Sequence, residues 1–324
     1  MKQVKHVSDI YTGENDILYT TENGLHVRDV VVEAGIGGEI YIGHVSDLHY
    51  NYCNQQDLDE ANPVVLSTLE NRKWLANGES VPKARRCMEF LDDVDQIVIN
   101  GDTLDYLSYG CMELMQKEIW DKYPDVIATL GGHEVVRRMQ GVVPDETTRE
   151  SRLEILEKFW KHDIYYISRV VKDKVLIIGL FNDLACYSAY QEEKLRSDLE
   201  LAREKGYAVL IFQHEPICTK NPIHKNITVD DIITVGDTSG FPRDFCDGDK
   251  LAGSSTSDEQ TKAVYSLISG SADVVKAVFA GHYHDDMYLE ILGSTPDGRE
   301  AYIPQYVHTA TAYDEGHLMR ITVK

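Results

Sequence analysis

The chain has 324 residues, enough for one large domain or two ordinary ones, and 43% hydrophobic with 27% charged residues places it in the globular class. Its 54 acidic against 32 basic side chains give a formal net charge of -22. That balance repels phosphate backbones and anionic lipid surfaces, so a general nucleic-acid or membrane binder is excluded unless bound cations reverse the local sign.

In chain order, the opening "MKQVKHVSDIYTGEND" has no apolar signal core, and no 18-residue apolar stretch follows, so a cytoplasmic protein is expected. Short apolar, β-branched runs then predict buried strands at "EIYIGHV" (39–45), "QIVIN" (96–100), "DVIATL" (125–130), "KVLIIGLF" (174–181), "YAVLIF" (207–212) and "VVKAVFA" (274–280). Between them Leu153, Leu156 and Trp160 share one helical face, as do Leu195, Leu199 and Ala202, with Gly206 ending the second helix. Residues 219–256 are rich in Gly, Pro, Ser, Thr and Asp and too long for an ordinary connection, which predicts an access or lid loop. Ser257 is the predicted N-cap of the helix that restarts after it. With no repeat or low-complexity linker, residues 1–324 are expected to form one α/β domain. The six cysteines, Cys53, Cys87, Cys111, Cys186, Cys218 and Cys246, have no framework spacing and are expected as reduced packing thiols.

Polar residues gather just after five of the predicted strands. "SDLH" supplies Asp47 and His49, "NGDTLD" supplies Asp102 and Asp105, "GGHE" supplies His133 and Glu134, "QHEP" supplies His214, and "GHYH" supplies His282 and His284. In an extended segment residues i and i+2 point the same way, so Asp47 with His49, or His282 with His284, can reach one ion. Mixed carboxylate and imidazole ligands suit Mn, Fe, Zn or Ni and carry too much nitrogen for a typical calcium site. At this composition a GHxH arises by chance roughly 0.03 times per chain. DxH alone is far weaker; the weight lies in five signals in order, each behind a strand, where α/β sheets hold their sites.

These motifs, from about Tyr41 to Asp285, resemble those of the calcineurin-like metallophosphoesterases: DxH, GDxxD, GNH followed by Asp or Glu, a lone His, then GHxH. The resemblance implies a four-layer αββα sandwich with two facing mixed β-sheets and a dinuclear metal centre at one rim. It implies that Asp47, His49 and His284 hold one ion, that His214 and His282 hold the other, and that Asp102 bridges both. It also gives His133 the role of general acid to the leaving oxygen, or of a donor to the phosphate, and Asp105 that of the carboxylate orienting it. Two divalent ions of this kind, drawn from Mn, Fe, Zn, Ni or Co, neutralise a phosphate and activate a water for in-line displacement.

The sequence departs from the family pattern at Gly132, where the pattern has an Asn whose carbonyl ligates the second metal. The turn is expected to need positive φ or tight packing, which Asn and Gly can both supply, so a preserved turn with a weakened second metal is expected. Tyr106 follows Asp105 where related protein serine/threonine phosphatases carry a phosphate-gripping Arg, which counts against that activity. Arg137 and Arg138 are expected on a solvated helix face, and Glu134 as support for the turn.

The expected function is hydrolysis of phosphodiester or phosphomonoester bonds of small molecules, without nucleic acid or membrane as partner. The alternatives are a catalytically degraded relative serving as a binding or scaffold module, motivated by Gly132, and a nuclease of the same superfamily, disfavoured by the lack of a basic stripe. His6, His26, His162 and His317 are expected at the surface or in packing; His44, His224 and His308 are unassigned but not expected as ligands. Oligomeric state is left open.

Overall fold

A computed structural model of the chain describes residues 7–12, 18–60, 80–135, 149–182, 186–217, 226–227 and 259–324. One seven-stranded sheet has the order β1 (Val7–Thr12), β2 (Leu18–Glu22), β3 (Leu25–Val32), β14 (His317–Val323), β4 (Ile40–Val45), β5 (Gln96–Asn100) and β6 (Ile127–Thr129). The other runs β10 (Asn226–Ile227), β12 (Met287–Ser294), β13 (Glu300–Val307), β11 (Val275–Ala280), β9 (Ala208–Gln213), β8 (Val175–Leu180) and β7 (Tyr166–Val171). Both are mixed: β4, β5 and β6 are parallel in the first, with β14 antiparallel to β4, and β8, β9, β11 and β13 are parallel in the second, with β7 and β12 antiparallel at either side of them.

Period-two alternation builds the layers. Along β9, Ala208, Leu210 and Phe212 turn into a core shared with Ile40, Ile42, Val98 and Ile127 of the first sheet. Val209 and Ile211 turn the opposite way, onto Leu195, Leu199 and Ala202 of helix α6 (Ala189–Lys205) and Val264, Tyr265 and Ile268 of helix α7 (Glu259–Ser269). The first sheet's outer face packs on helices α2 (Ser80–Phe90), α3 (Tyr109–Met115) and α5 (Arg149–Phe159) through Ala84, Met88, Met115, Leu153 and Leu156. Among the described residues the remaining helical segments are α1 (Gln55–Glu60), a π-helical turn (Gln116–Trp120) that continues α3, and the single turn α4 (Gly132–Val135). Helix, sheet, sheet, helix is the four-layer α/β architecture that the resemblance implied.

All six predicted strands are present, and α6 ends as expected with Gly206 in the left-handed region at φ 73°. Ser257, residues 219–256 apart from Asn226–Ile227, Arg137, Arg138, His6, His224, Cys218 and Cys246 lie outside the described residues. The four described cysteines form no disulfide.

Asn100 holds the two sheets together at the rim that matters. From the end of β5, its amide donates to the carbonyls of Gln213 (2.7 Å) and Phe279 (3.1 Å) in the opposite sheet. The C-terminal ends of β5, β9 and β11 therefore meet at one edge.

Candidate metal centre

Every predicted site residue lies just past a strand that ends at this rim: β4 for Asp47 and His49, β5 for Asp102 and Asp105, β6 for His133, β9 for His214, β11 for His282 and His284. Six of the side chains fall into two close sets, Asp47 with His49 and His284, and Asp102 with His214 and His282, and His49 also lies in a third with Asp105 and His133. In the first, His49 Nε2 is 2.9 Å from His284 Nε2, which is 3.1 Å from Asp47 Oδ1. In the second, His214 Nε2 is 3.0 Å from Asp102 Oδ2 and 3.1 Å from His282 Nδ1. Asp47 Oδ1 also stands 3.9 Å from His214 Nε2, so the sets are contiguous.

The reason the pairs converge differs from the extended-chain expectation. Asp47, His49, Asp102, His282 and His284 all have positive φ, between 46° and 73°. Such backbone is uncommon for residues with a Cβ, costs about 1–3 kcal/mol apiece and gathers at functional sites. Here it turns each loop tightly enough to aim both members of a pair inward. Part of the cost is offset by hydrogen bonds between loops, from Asp47 N to Gly101 O (3.1 Å) and from His49 N to Asp102 O (2.9 Å).

Two glycines permit the close approach. A Cβ on Gly131 would sit 2.6 Å from the backbone nitrogen of Asp102, and one on Gly281 would sit 2.5 Å from Asp47 Oδ2. Gly132, by contrast, opens α4 and is not among the positive-φ glycines. Of the two reasons expected for a turn that Asn and Gly share, positive φ is not the one found: the helical conformation at Gly132 is open to any residue, Asn included.

The donor set fits divalent metal. His214 Nδ1 faces Asn100 O at 2.7 Å and His49 Nδ1 faces Asp105 Oδ1 at 3.0 Å, while Tyr313 Oη lies 2.8 Å from His284 Nδ1. An imidazole whose Nδ1–H is given to an outer acceptor keeps its Nε2 lone pair for an ion, the usual arrangement around ligating histidines. Donors about 2.1 Å from one ion at a right angle lie about 3 Å apart, close to the spacings seen within each set.

Electrostatics points the same way. Burial alone raises the Asp47 and Asp102 carboxyls, but His214 first, with His284 for Asp47 and His133 for Asp102, holds both below the usual range. Burial opposes charge on His214, yet Asp102 and Asp47 raise it well above its ordinary value. Burial, and then the His214 charge, depresses His282. A proton on His214 Nε2 and a cation answer the same two carboxylates.

Beside these sets, His133 N donates to Asp102 Oδ1 (2.9 Å), and His133 Nδ1 lies 2.9 Å from the Asp105 carbonyl and 3.3 Å from Asp105 Oδ1. Asp105 thus touches both His133 and His49. Glu134 is fully buried and accepts from the backbone nitrogens of Leu104 (3.0 Å) and Gly131 (2.9 Å), the turn-supporting role expected of it. Burial, and then Asp102, push its carboxyl up to about 7.

Sequence reasoning missed Tyr313, Asn100 and Ser46, whose hydroxyl donates to Asp47 Oδ2. Tyr313 carries no local signal, lying 29 residues from the histidine it meets. A usable signal was the glycine standing directly before Asp102 and before His282. His44 and His308 are buried in the core, their rings 5.3 Å apart, and neither joins the centre. His26, His317 and Asp314 form a separate cluster, but the two rings stack at 11°, which puts their lone pairs in separate planes.

The family model described as calcineurin-like phosphoesterase matches residues 40–286, about three quarters of the chain. The chain belongs to that family. It is a metallophosphoesterase, a hydrolase of phosphoric esters, and the family implies a dinuclear divalent-metal centre. No curated protein matches the sequence. Among solved structures, the chain is similar to a dimetal phosphatase from Danio rerio, at 14% identity and TM-score 0.43, over 84% of this chain and 87% of that one. It is similar to PhoD at 10% identity and TM-score 0.43, over 91% of this chain and 62% of that one. Similarity to the calcineurin-like phosphoesterase YfkN from Bacillus subtilis is 13% identity and TM-score 0.34, over 77% and 73%. Among the described residues, no helix of this metallophosphoesterase is long and apolar enough to cross a membrane.

Proposed function

We propose that this metallophosphoesterase hydrolyses phosphodiester or phosphomonoester bonds of small molecules, with Asp47, His49 and His284 holding one divalent ion, His214 and His282 the other, and Asp102 bridging. The observation that carries it is the convergence of these six side chains, from both sheets, into two contiguous nitrogen and oxygen sets. When bound, a pair of such ions neutralises the phosphate, lowers the pKa of a water and steadies in-line displacement. The donors suit Mn, Fe, Zn, Ni or Co.

His133 serves as the acid. The Asp105 carbonyl can only accept, so Nδ1 carries a proton toward it, and Nε2 is the atom left to protonate the leaving oxygen. Nε2 faces the centre, 3.9 Å from Asp102 Oδ2, and the side chain is 14% exposed, open to a substrate. Asp105 fixes the ring through its carbonyl and its carboxylate. Gly132 offers no side-chain carbonyl, so the second ion is held by Asp102, His214 and His282 alone and binds more weakly than the family pattern would give.

Tyr106 is fully buried, so it cannot replace the phosphate-gripping Arg of protein phosphatases, which supports a small-molecule substrate. The net charge of -22 supports the exclusion of nucleic acid and membrane as partners. The four described cysteines form no disulfide, which is in keeping with a reducing, cytoplasmic setting.

The test is turnover of p-nitrophenyl phosphate and bis(p-nitrophenyl) phosphate with Mn, Ni, Co or Zn, in the unaltered protein and in Gly132→Asn. Hydrolysis that rises in the variant supports the reading. If neither protein turns over either ester with any of the ions, Gly132 instead favours a degraded relative that keeps the fold as a binding module.

A further inference from the structure

We propose that Asn51, fixed in turn by Tyr106, is a positioning residue that holds the Asp105 carboxylate against His49 and His133 together. The inference rests on the reading of His49 as a metal ligand and His133 as the acid, and it extends that reading to two residues outside the family motifs.

Asp105 serves two imidazoles with one oxygen: Oδ1 is 3.0 Å from His49 Nδ1 and 3.3 Å from His133 Nδ1. A carboxylate free to swing about its Cβ–Cγ bond would favour one ring over the other. Its second oxygen is tethered, however, because Asn51 Nδ2 donates to Asp105 Oδ2 at 2.9 Å. The Tyr106 hydroxyl donates to Asn51 Oδ1 at 3.0 Å, so each end of the amide has a partner of the right kind. A carboxylate only accepts and a carbonyl oxygen only accepts, which leaves one orientation of the Asn51 amide.

The backbone makes the tether short and stiff. Tyr50 N donates to Thr103 O (2.8 Å) and Asp105 N donates to Tyr50 O (3.1 Å), which pins residues 50 and 51 beside the loop that carries Asp105. Tyr106, fully buried, is thereby turned away from substrate and into the support of the centre. Partners of this kind typically set metal affinity or activity by about 10–100-fold.

Asn51→Ala, Asn51→Asp, Tyr106→Phe and the double variant Asn51→Ala/Tyr106→Phe provide the test. The measurements are Co(II) affinity by chelator competition, kcat and KM on p-nitrophenyl phosphate, and imidazole N–H resonances of the metal-free protein. Asn51→Ala and Asn51→Asp are expected to weaken Co(II) binding and lower kcat by about 10–100-fold with KM little changed, and to lose the slowly exchanging His49 Nδ1–H signal. Tyr106→Phe should move all three in the same direction by less, and should add nothing once Asn51 is Ala.

Asn51→Asp keeps the shape of the side chain, so it decides the matter if Asn51→Ala fails to fold. Wild-type behaviour of Asn51→Asp, or full additivity in the double variant, overturns the proposal. Should the unaltered protein bind no Co(II) and hydrolyse nothing, the functional reading fails, while the metal-free resonances still decide whether Asn51 holds Asp105.

Discussion

At the scale of single residues, the assignments separate by what each side chain touches. Asp102→Asn or His284→Ala removes a donor from the centre and is expected to strip bound metal and cut hydrolysis by at least about 10²-fold, measured by elemental analysis beside turnover. His133→Asn should behave differently, leaving metal content unchanged while lowering kcat by about 10²–10⁴-fold. That loss should shrink for p-nitrophenyl esters, whose leaving group needs little protonation, and grow for alkyl esters. Equal losses on both would remove the acid role from His133. Among the described residues Glu134 accepts only from the two backbone nitrogens it caps, so the expected effect of Glu134→Gln is a stability loss of about 1–3 kcal/mol in denaturant melts, with metal content retained.

At the scale of elements, the loops carry the strain and the strands the support. Gly281→Ala would drive a Cβ to within 2.5 Å of Asp47 Oδ2, so metal binding should fail although β11 itself is untouched. Gly206→Ala, at the left-handed end of α6 with open space around it, should cost about 1 kcal/mol and leave turnover as it was. Metal titrations and thermal melts on the two variants would separate these outcomes. The same contrast explains what the sequence made legible. Continuous apolar runs such as "YAVLIF" announce strands buried on both faces, and β9 is one. Central β14 was not anticipated, because "HLMRITV" carries Arg320, whose charge is met by Glu22 and Asp29 only once β2 and β3 lie nearby. The ordered motifs gave the residues of the centre, but the positive-φ turns that aim them, and Tyr313, Asn51 and Asn100 behind them, depend on contacts between segments far apart in the chain.

At the scale of the whole molecule, the two sheets enclose a core that also holds His44 and His308, whose rings have no hydrogen-bond partner among the described residues. Burial lowers His44 to about 3 and takes His308 well below its ordinary value. The unfolded imidazoles take up protons near pH 6.5 and the folded ones do not. Their contribution to stability is therefore intact above about pH 6.5 and is lost as the pH falls below it, by at most about 1.4 kcal/mol per pH unit for each ring. The melting temperature is expected to drop between pH 7 and pH 5, and His44→Gln with His308→Gln should flatten that drop. A slope unchanged in the double variant would assign the acid lability elsewhere.

The most direct test of the centre is anomalous diffraction at the Mn edge from crystals grown with Mn. Two peaks are predicted, one among Asp47, His49 and His284 and a weaker one among Asp102, His214 and His282, the second strengthening in Gly132→Asn. Absence of ordered Mn from that pocket in both proteins, or Mn found only at His26, Asp314 and His317, would contradict the account.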